Sequence, residues 1–303
     1  MTRLDAGYAR CAELTRKHGT TYYWGTLLLP RAQRREVFAV YALCRLADDI
    51  VDEPDTVQPE DTAVPRDGTP AERLDAFRRA FFAALEAGDA EQPVLAAIVD
   101  SIRRTGTDPE CFERFFDAMA LDLTRTTWAS WPELRDGYME GSAAVIGEMM
   151  VPVLEPLSQG AFEPARSLGL AFQLTNFIRD VGEDLDRGRV YLPADELAAH
   201  GADPWLRRVT PQWREFLAAQ IARNRELYVA ARPGIGLLPP GSARCVGAAH
   251  ALYSQILDRI EAADYDVFSE RRRVPRVTKA ATVARLMLTR PDANAATPAL
   301  SAR

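Results

Sequence analysis

The stretch REVFAVYALCRLADDIVDE, residues 35–53, repeats apolar side chains at three- and four-residue steps, as in Val37, Phe38, Tyr41 and Ala42. That period is the mark of an amphipathic helix. Asp48 and Asp52 stand four apart within it, so both carboxylates share one helix face about 5–6 Å apart at Cβ, where like charges repel unless a cation separates them. The only other Asp-x-x-x-Asp in the 303 residues is Asp180 to Asp184, in NFIRDVGEDLDRGR at 176–189, again inside a helix-forming apolar stretch. One such pair carries little weight. Two with matched surroundings point to a hard divalent cation.

On the first helix Tyr41, Arg45, Asp48 and Asp52 fall at i, i+4, i+7 and i+11, a polar stripe on a helix whose other face carries Val37, Val40, Leu43 and Val51. On the second, Asn176, Asp180 and Asp184 run at i, i+4 and i+8, with Gln173 one turn earlier and Arg179 and Glu183 alongside. Magnesium prefers octahedral oxygen coordination, keeps several waters and is usually held by one or two carboxylates plus substrate phosphate. Arginine offers phosphate a bidentate fork. The two stripes therefore look like a clamp for magnesium and diphosphate. The competing reading is two solvated acidic faces with ion pairs such as Arg45 with Asp48 and Arg179 with Glu183. That would leave the apolar flanks of both helices in water.

Composition narrows the classes. A net charge of −6 and a pI near 5.3 argue against a nucleic-acid footprint. Cys11, Cys44, Cys111 and Cys245 are scattered, with no C-x-x-C and no histidine cluster, which suggests neither zinc nor a disulfide framework and implies a reducing cytoplasm. The N-terminus has no apolar core of a signal peptide, and no apolar run reaches 18 residues. A cytoplasmic protein is expected, with room for peripheral attachment to a membrane.

The period predicts helices over 3–17, 31–52, 70–87, 93–104, 109–124, 132–156, 161–184, 211–231, 242–267 and 276–288, with strand-like alternation almost absent. Prolines and glycines mark loops at 54–70, 201–211 and 231–241. The reading is an all-α fold: one domain over 1–290, 47% hydrophobic residues sufficing for a single large core, and a disordered tail over 291–303.

TTYYWGTLLLP (20–30), REVFAVYALCRLADDIVDE (35–53), YMEGSAAVIGEMMVPVL (138–154), AFQLTNFIRDVGEDLDRGRVYLP (171–193) and LYSQILDRIEAADYDVFSERRRV (252–274) together resemble the squalene and phytoene synthases. The resemblance runs from about His18 to Lys279. It implies an isoprenoid synthase helical bundle with a central active-site cavity and a magnesium-dependent prenyltransferase, manganese being a substitute. YMEGSAAVIG and GRVYLP look most like bacterial members that make phytoene. The implied reaction joins two geranylgeranyl diphosphates head to head through a cyclopropylcarbinyl diphosphate and releases two diphosphates, without NADPH. The alternative is a C30 enzyme on two farnesyl diphosphates, which needs NADPH if squalene is the product; a second alternative is a non-catalytic assembly protein of the same fold. Prenyl diphosphates are the expected partners, and the oligomeric state is left open.

By motif, the resemblance makes Asp48, Asp52, Asp180 and Asp184 the magnesium carboxylates, with Asn176 and Glu183 as supporting ligands. Arg45, Arg179 and Arg271 would contact diphosphate, and Gln173, Thr21 and Tyr22 belong to the same substrate site. Gly19 replaces a serine usual in the family. Tyr41 and Tyr253 would face the reaction cavity, where ring faces stabilise carbocations.

Other features read two ways. Of the basic run Arg271, Arg272, Arg273, Arg276 and Lys279, only Arg271 is assigned to substrate; the rest are left to attract anionic lipid headgroups. Gly141, Ser142, Ala143, Ala144 and Gly147 suit close helix packing or room for a prenyl chain. His18, His200 and His250 are isolated and read as structural.

Overall fold

A computed structural model describes residues 2–288, apart from the side chains of residues 20–22 and 286–288. The tail expected over 291–303 lies outside the described residues. The first half of the chain forms α1 (Arg3–His18), α2 (Thr20–Thr26), α3 (Arg31–Asp52), a turn α4 (Pro59–Thr62), α5 (Pro70–Ala87), α6 (Pro93–Thr105) and α7 (Pro109–Leu121). Then come α8 (Trp131–Leu134), a π-helical stretch (Arg135–Ala144) that continues into α9 (Val145–Val153), α10 (Phe162–Arg179), α11 (Val181–Asp186) and α12 (Ala194–His200). The last three are α13 (Pro211–Ile235), α14 (Pro240–Ala262) and α15 (Arg276–Leu288). Among the described residues there is no strand, only one backbone bridge between Thr127 and Val190, and all four cysteines are free.

The helix starts follow local chemistry. Thr2 with Asp5 and Thr69 with Glu72 form reciprocal capping boxes. Proline opens α5, α6, α7, α13 and α14, where its missing N–H costs nothing. Two apolar cores result. Phe77, Phe81, Phe112, Phe115 and Phe116 anchor one, with α1 and α3 packed on it; Trp128, Trp213, Phe216 and Leu174 anchor the other, built on α10, α13 and α14. α3 and α10 belong to different cores, and both line the space between them.

Several of the predicted boundaries are corrected. The expected helix over 161–184 breaks at Asp180, whose backbone leaves the helical range (φ −100°, ψ 11°), and α11 resumes at once. The loop expected at 231–241 is helical as far as Ile235: Pro233 falls in the last turn, where losing one hydrogen bond is cheap, and Gly234 is required because a Cβ there would lie 2.4 Å from Pro164. The helix over 242–267 stops at Ala262, and Asp264 and Tyr265 turn the chain through left-handed φ values of 55° and 62°. α2 and α12 were not expected as helices. The small-residue stretch packs closely against α10 and also borders the cavity. A Cβ on Gly147 would sit 2.2 Å from the Ala165 carbonyl oxygen and one on Gly169 2.1 Å from that of Ala143, so α10 lies directly on this segment. Ser142, Ala143 and Gly147 also border the cavity.

Candidate active site

A cavity of about 850 Å³ lies between the two cores. Along α3 its wall runs Val37, Val40, Tyr41, Cys44, Arg45, Asp48, Asp52. Along α10 and α11 it runs Ala165, Leu168, Phe172, Asn176, Asp180, Asp184. Both helices therefore change from apolar to acidic in the same direction. Val37 and Val40, expected on the face opposite Tyr41, share the cavity wall with it, because the cavity wraps around more of α3 than one narrow stripe. The chain after α11 ties the acidic ends together: Arg187 Nη1 donates to Asp52 Oδ2 (2.8 Å) and Arg189 Nη1 to Asp52 Oδ1 (2.6 Å). Met150, Leu154, Ile235 and Leu238 line the apolar part.

The ion pairs differ from those the sequence suggested. Arg45 pairs with Asp49 rather than Asp48, and Arg179 binds its neighbour Asp180 through two hydrogen bonds of 2.6 Å rather than Glu183. Arg271 bridges Asp180 (2.7 Å) and Glu183 (3.1 Å) across 91 and 88 residues of chain. Among the described residues, neither Asp48 nor Asp184 has a side-chain hydrogen-bond or ion-pair partner. Asp48 is exposed to the open cavity, with protein crowded around that opening. Desolvation by the surrounding protein pushes its carboxyl up to about 7, against the pull of Arg45 and with Asp52 adding to the rise. Asp184 also reaches about 7, through burial and then the charge of Asp180, opposed by Arg187 and Arg189.

The six candidate ligands are thus divided between facing walls: Asp48 and Asp52 on α3, and Asn176, Asp180, Glu183 and Asp184 on α10 and α11. Among the described residues no three His, Cys, Asp or Glu side chains gather closely enough to enclose a bare cation. The donor set nevertheless fits a hard cation shared with water and phosphate. Asn176 Oδ1 is buried without a partner, and two carboxylates sit raised by burial and like charge, which an added cation would relieve.

Gln173, Arg45, Arg179 and Arg271 all line the cavity, as do Tyr41 and Tyr253. Gly19 has a steric reason here, since a Cβ would lie 2.9 Å from the Tyr41 ring. Phe172 packs on Tyr253 with ring centroids 4.4 Å apart. The side chains of Thr21 and Tyr22 lie outside the described residues. His200 and His250 are held by the carbonyls of Glu196 and Tyr228, whereas His18, read as structural, faces the cavity.

Several neighbours were not singled out from sequence. Arg187 and Arg189 were visible in DRGRV, but their reach to Asp52 depends on tertiary packing. Arg273 and Lys279, left to lipid, both border the cavity, and Lys279 is buried. Asp122 accepts from the hydroxyls of Tyr138 and Tyr191 (2.8 Å for Tyr191), and burial raises its carboxyl to about 6 despite those bonds. No sequence signal marked it.

A sequence model of squalene/phytoene synthases matches residues 15–278. The chain belongs to the squalene/phytoene synthase family. Phytoene synthase of Arthrospira platensis is 37% identical over 290 residues, which cover 90% of each chain. Chloroplastic phytoene synthase of Daucus carota is 34% identical over 294 residues, 91% of this chain and 69% of that protein. In three dimensions the chain superposes on a ligand-bound dehydrosqualene synthase with a TM-score of 0.84 at 22% identity, covering 94% of this chain and 96% of that one. This squalene/phytoene synthase member is accordingly all-α with the isoprenoid synthase fold, and its cavity is the family's candidate reaction chamber.

Proposed function

We propose that the chain is a prenyltransferase that joins two geranylgeranyl diphosphates head to head to give phytoene, in carotenoid biosynthesis. The relatives named phytoene synthase support the product. The observation that carries the chemistry is the polarity of the cavity, with arginines and carboxylates at one end and an apolar interior at the other. Diphosphate would lie at the acidic end, where Arg45, Arg179 and Arg271 exchange carboxylate partners for phosphate oxygens and stabilise the charge that develops on the leaving group. Asp48, Asp52, Asn176, Asp180, Glu183 and Asp184 would hold magnesium, or manganese in its place, which supplies Lewis-acid neutralisation of diphosphate. The allylic cation left by the first ionisation meets the double bond of the second substrate, and proton loss closes a cyclopropane that keeps its diphosphate. A second ionisation, rearrangement and proton loss give the triene without a reductant. Tyr41, Phe172 and Tyr253 offer ring faces to the cationic species. The apolar walls keep out the water that would quench them.

The fold of the dehydrosqualene synthase neighbour keeps a C30 reaction as the second reading. Incubation with C20 or C15 diphosphate and magnesium, with and without NADPH, separates the two. Phytoene from the C20 substrate without NADPH is expected. A predominant C30 product would overturn the C20 assignment, and no diphosphate release from either substrate would overturn catalysis.

A further inference from the structure

Between α10 and α13 lies a cluster of buried polar side chains that the reaction above does not use. Thr175 on α10 and Asn224 on α13 are fully buried, and Tyr228 on α13 is nearly so. The Thr175 hydroxyl donates to the Ala171 carbonyl (2.7 Å) and lies 2.8 Å from the Tyr228 hydroxyl and 2.8 Å from Asn224 Nδ2. Its one proton is spent on Ala171, so Tyr228 and Asn224 both donate to it and fill its two lone pairs. Burial raises the Tyr228 phenol well above its ordinary value, which keeps the donated proton in place.

Tyr228 is held through its backbone as well. His250 on α14 donates its Nε2–H to the Tyr228 carbonyl (3.1 Å) and sets its ring edge-on to the phenol ring, with centroids 5.1 Å apart and planes at 77°. The Tyr228 ring in turn meets Phe172, 6.2 Å between centroids, and Phe172 packs on Tyr253 at 4.4 Å. Phe172 and Tyr253 line the cavity. Tyr228 therefore connects the polar cluster and His250 to the aromatic wall of the reaction chamber.

As a device for stability alone the cluster is a poor one. Asn224 keeps its Oδ1 buried with no partner, and a stranded acceptor costs stability. Apolar side chains of similar volume would join α10 to α13 without that cost. What the hydroxyls and the amide add is direction: an apolar contact lets a ring slide, whereas a phenol tied to Thr175 has one orientation. The bond from Thr175 to Ala171 also falls in the turn of α10 that carries Phe172. Two turns further on, about 12 Å along the helix, is Asp180 at the acidic end.

We propose that Tyr228, clasped by Thr175, Asn224 and His250, is a positioning residue that fixes the wall of Phe172 and Tyr253 and so directs the cation of the second ionisation to hydrocarbon rather than to alcohol. The inference rests on the prenyl reading above. In that step the C–O bond of the cyclopropylcarbinyl diphosphate breaks and diphosphate leaves with the electron pair. Rearrangement and loss of a proton then give the triene. Water that reaches the cation first adds its oxygen and releases a proton, which gives an alcohol. Two ring faces held at a fixed separation attract the cation and fill the space that water would need. A ring free to swing opens that space.

Product analysis of Tyr228→Phe, which keeps the ring and removes the clasping hydroxyl, tests it. With geranylgeranyl diphosphate and magnesium, KM should stay within about twofold, while the share of turnovers ending in alcohol or in released cyclopropylcarbinyl diphosphate should rise about fivefold or more. Tyr8→Phe deletes a hydroxyl bonded to Asp100 (2.8 Å) in the other core, and it should lower stability with no change in product ratio. Urea midpoints give a readout free of activity. Thr175→Val strands two buried donors and is the harsher variant; combined with Tyr228→Phe it should shift the midpoint by clearly less than the two single shifts added together. An unchanged product ratio in Tyr228→Phe, the same change in Tyr8→Phe, or additive midpoints would each overturn the proposal. A wild-type protein that forms no hydrocarbon, with midpoints that are not additive, would instead reject the prenyl reading and leave the clasp standing.

Discussion

Asp48 and Asp184 look into the same end of the cavity from facing walls, and each has its carboxyl pushed up to about 7. In the unfolded chain both would titrate near the ordinary carboxylate value of about 4, so between about pH 4 and pH 7 the folded state binds more protons than the unfolded one. Their stabilising contribution is therefore full at low pH and lost as pH rises through about 7. Metal-free protein should melt at a lower temperature at pH 8 than at pH 5.5, and Asp48→Asn should flatten that slope by removing one titrating group. A melting temperature that rises over the interval would contradict the upward shift of these carboxylates. The same substitution bears on catalysis. Asp48→Asn or Asp180→Ala should lower turnover at least about a thousandfold, through lost stabilisation of the departing diphosphate, while leaving the far-ultraviolet spectrum intact. Near-normal turnover in both variants would refute the assignment of the acidic end. For Arg45, replacement by Lys keeps the charge but loses the fork, so a fall of about tenfold or more in kcat/KM is expected, whereas a structural role met by charge alone would leave it unchanged.

At the scale of the element, close approach of backbones explains what the helices tolerate. Gly169 of α10 rests on the Ala143 carbonyl, with no room for a Cβ at 2.1 Å. Gly169→Ala should cost about 1–3 kcal/mol by overpacking, read as a shift in urea midpoint with little change in m. The substitution favours the helix locally, so any gain in stability would show that α10 can move away from the π-helical segment. This contrast also marks what sequence could and could not convey. α3 was legible from end to end because its period, its proline boundaries and its two aspartates are all local. The break at Asp180 was not, because it accompanies an ion pair with Arg271, 91 residues away, and an approach of the Val267 carbonyl oxygen so close that a Cβ on Gly182 would lie 3.2 Å from it. Likewise, the residue types around the two motifs identified both acidic walls. Which arginine pairs with which carboxylate depends on how the walls are set against one another, and no local spacing encodes that.

For the molecule as a whole, the two walls give the cavity a length. Val37 to Asp52 and Ala165 to Asp180 each span 15 residues, and at 1.5 Å per residue that is about 22 Å of helix from apolar interior to acidic end. A prenyl chain whose diphosphate is held at the acidic end must extend toward Ala165, Met150 and Leu154, so the side chains there decide how many isoprene units fit. Small residues on the α9 and α10 walls, Ala165 among them, keep that interior open. Ala165→Phe would place a ring across it. If the C20 reading is right, this variant should lose about tenfold or more in kcat/KM for geranylgeranyl diphosphate while changing far less for the shorter farnesyl diphosphate, since a steric block discriminates by length and leaves the diphosphate end untouched. Product analysis of both substrates checks it. An equal loss for the two would mean that the ring disturbs the walls rather than the depth, and a variant still making phytoene at the parental rate would show that the chains run along another path.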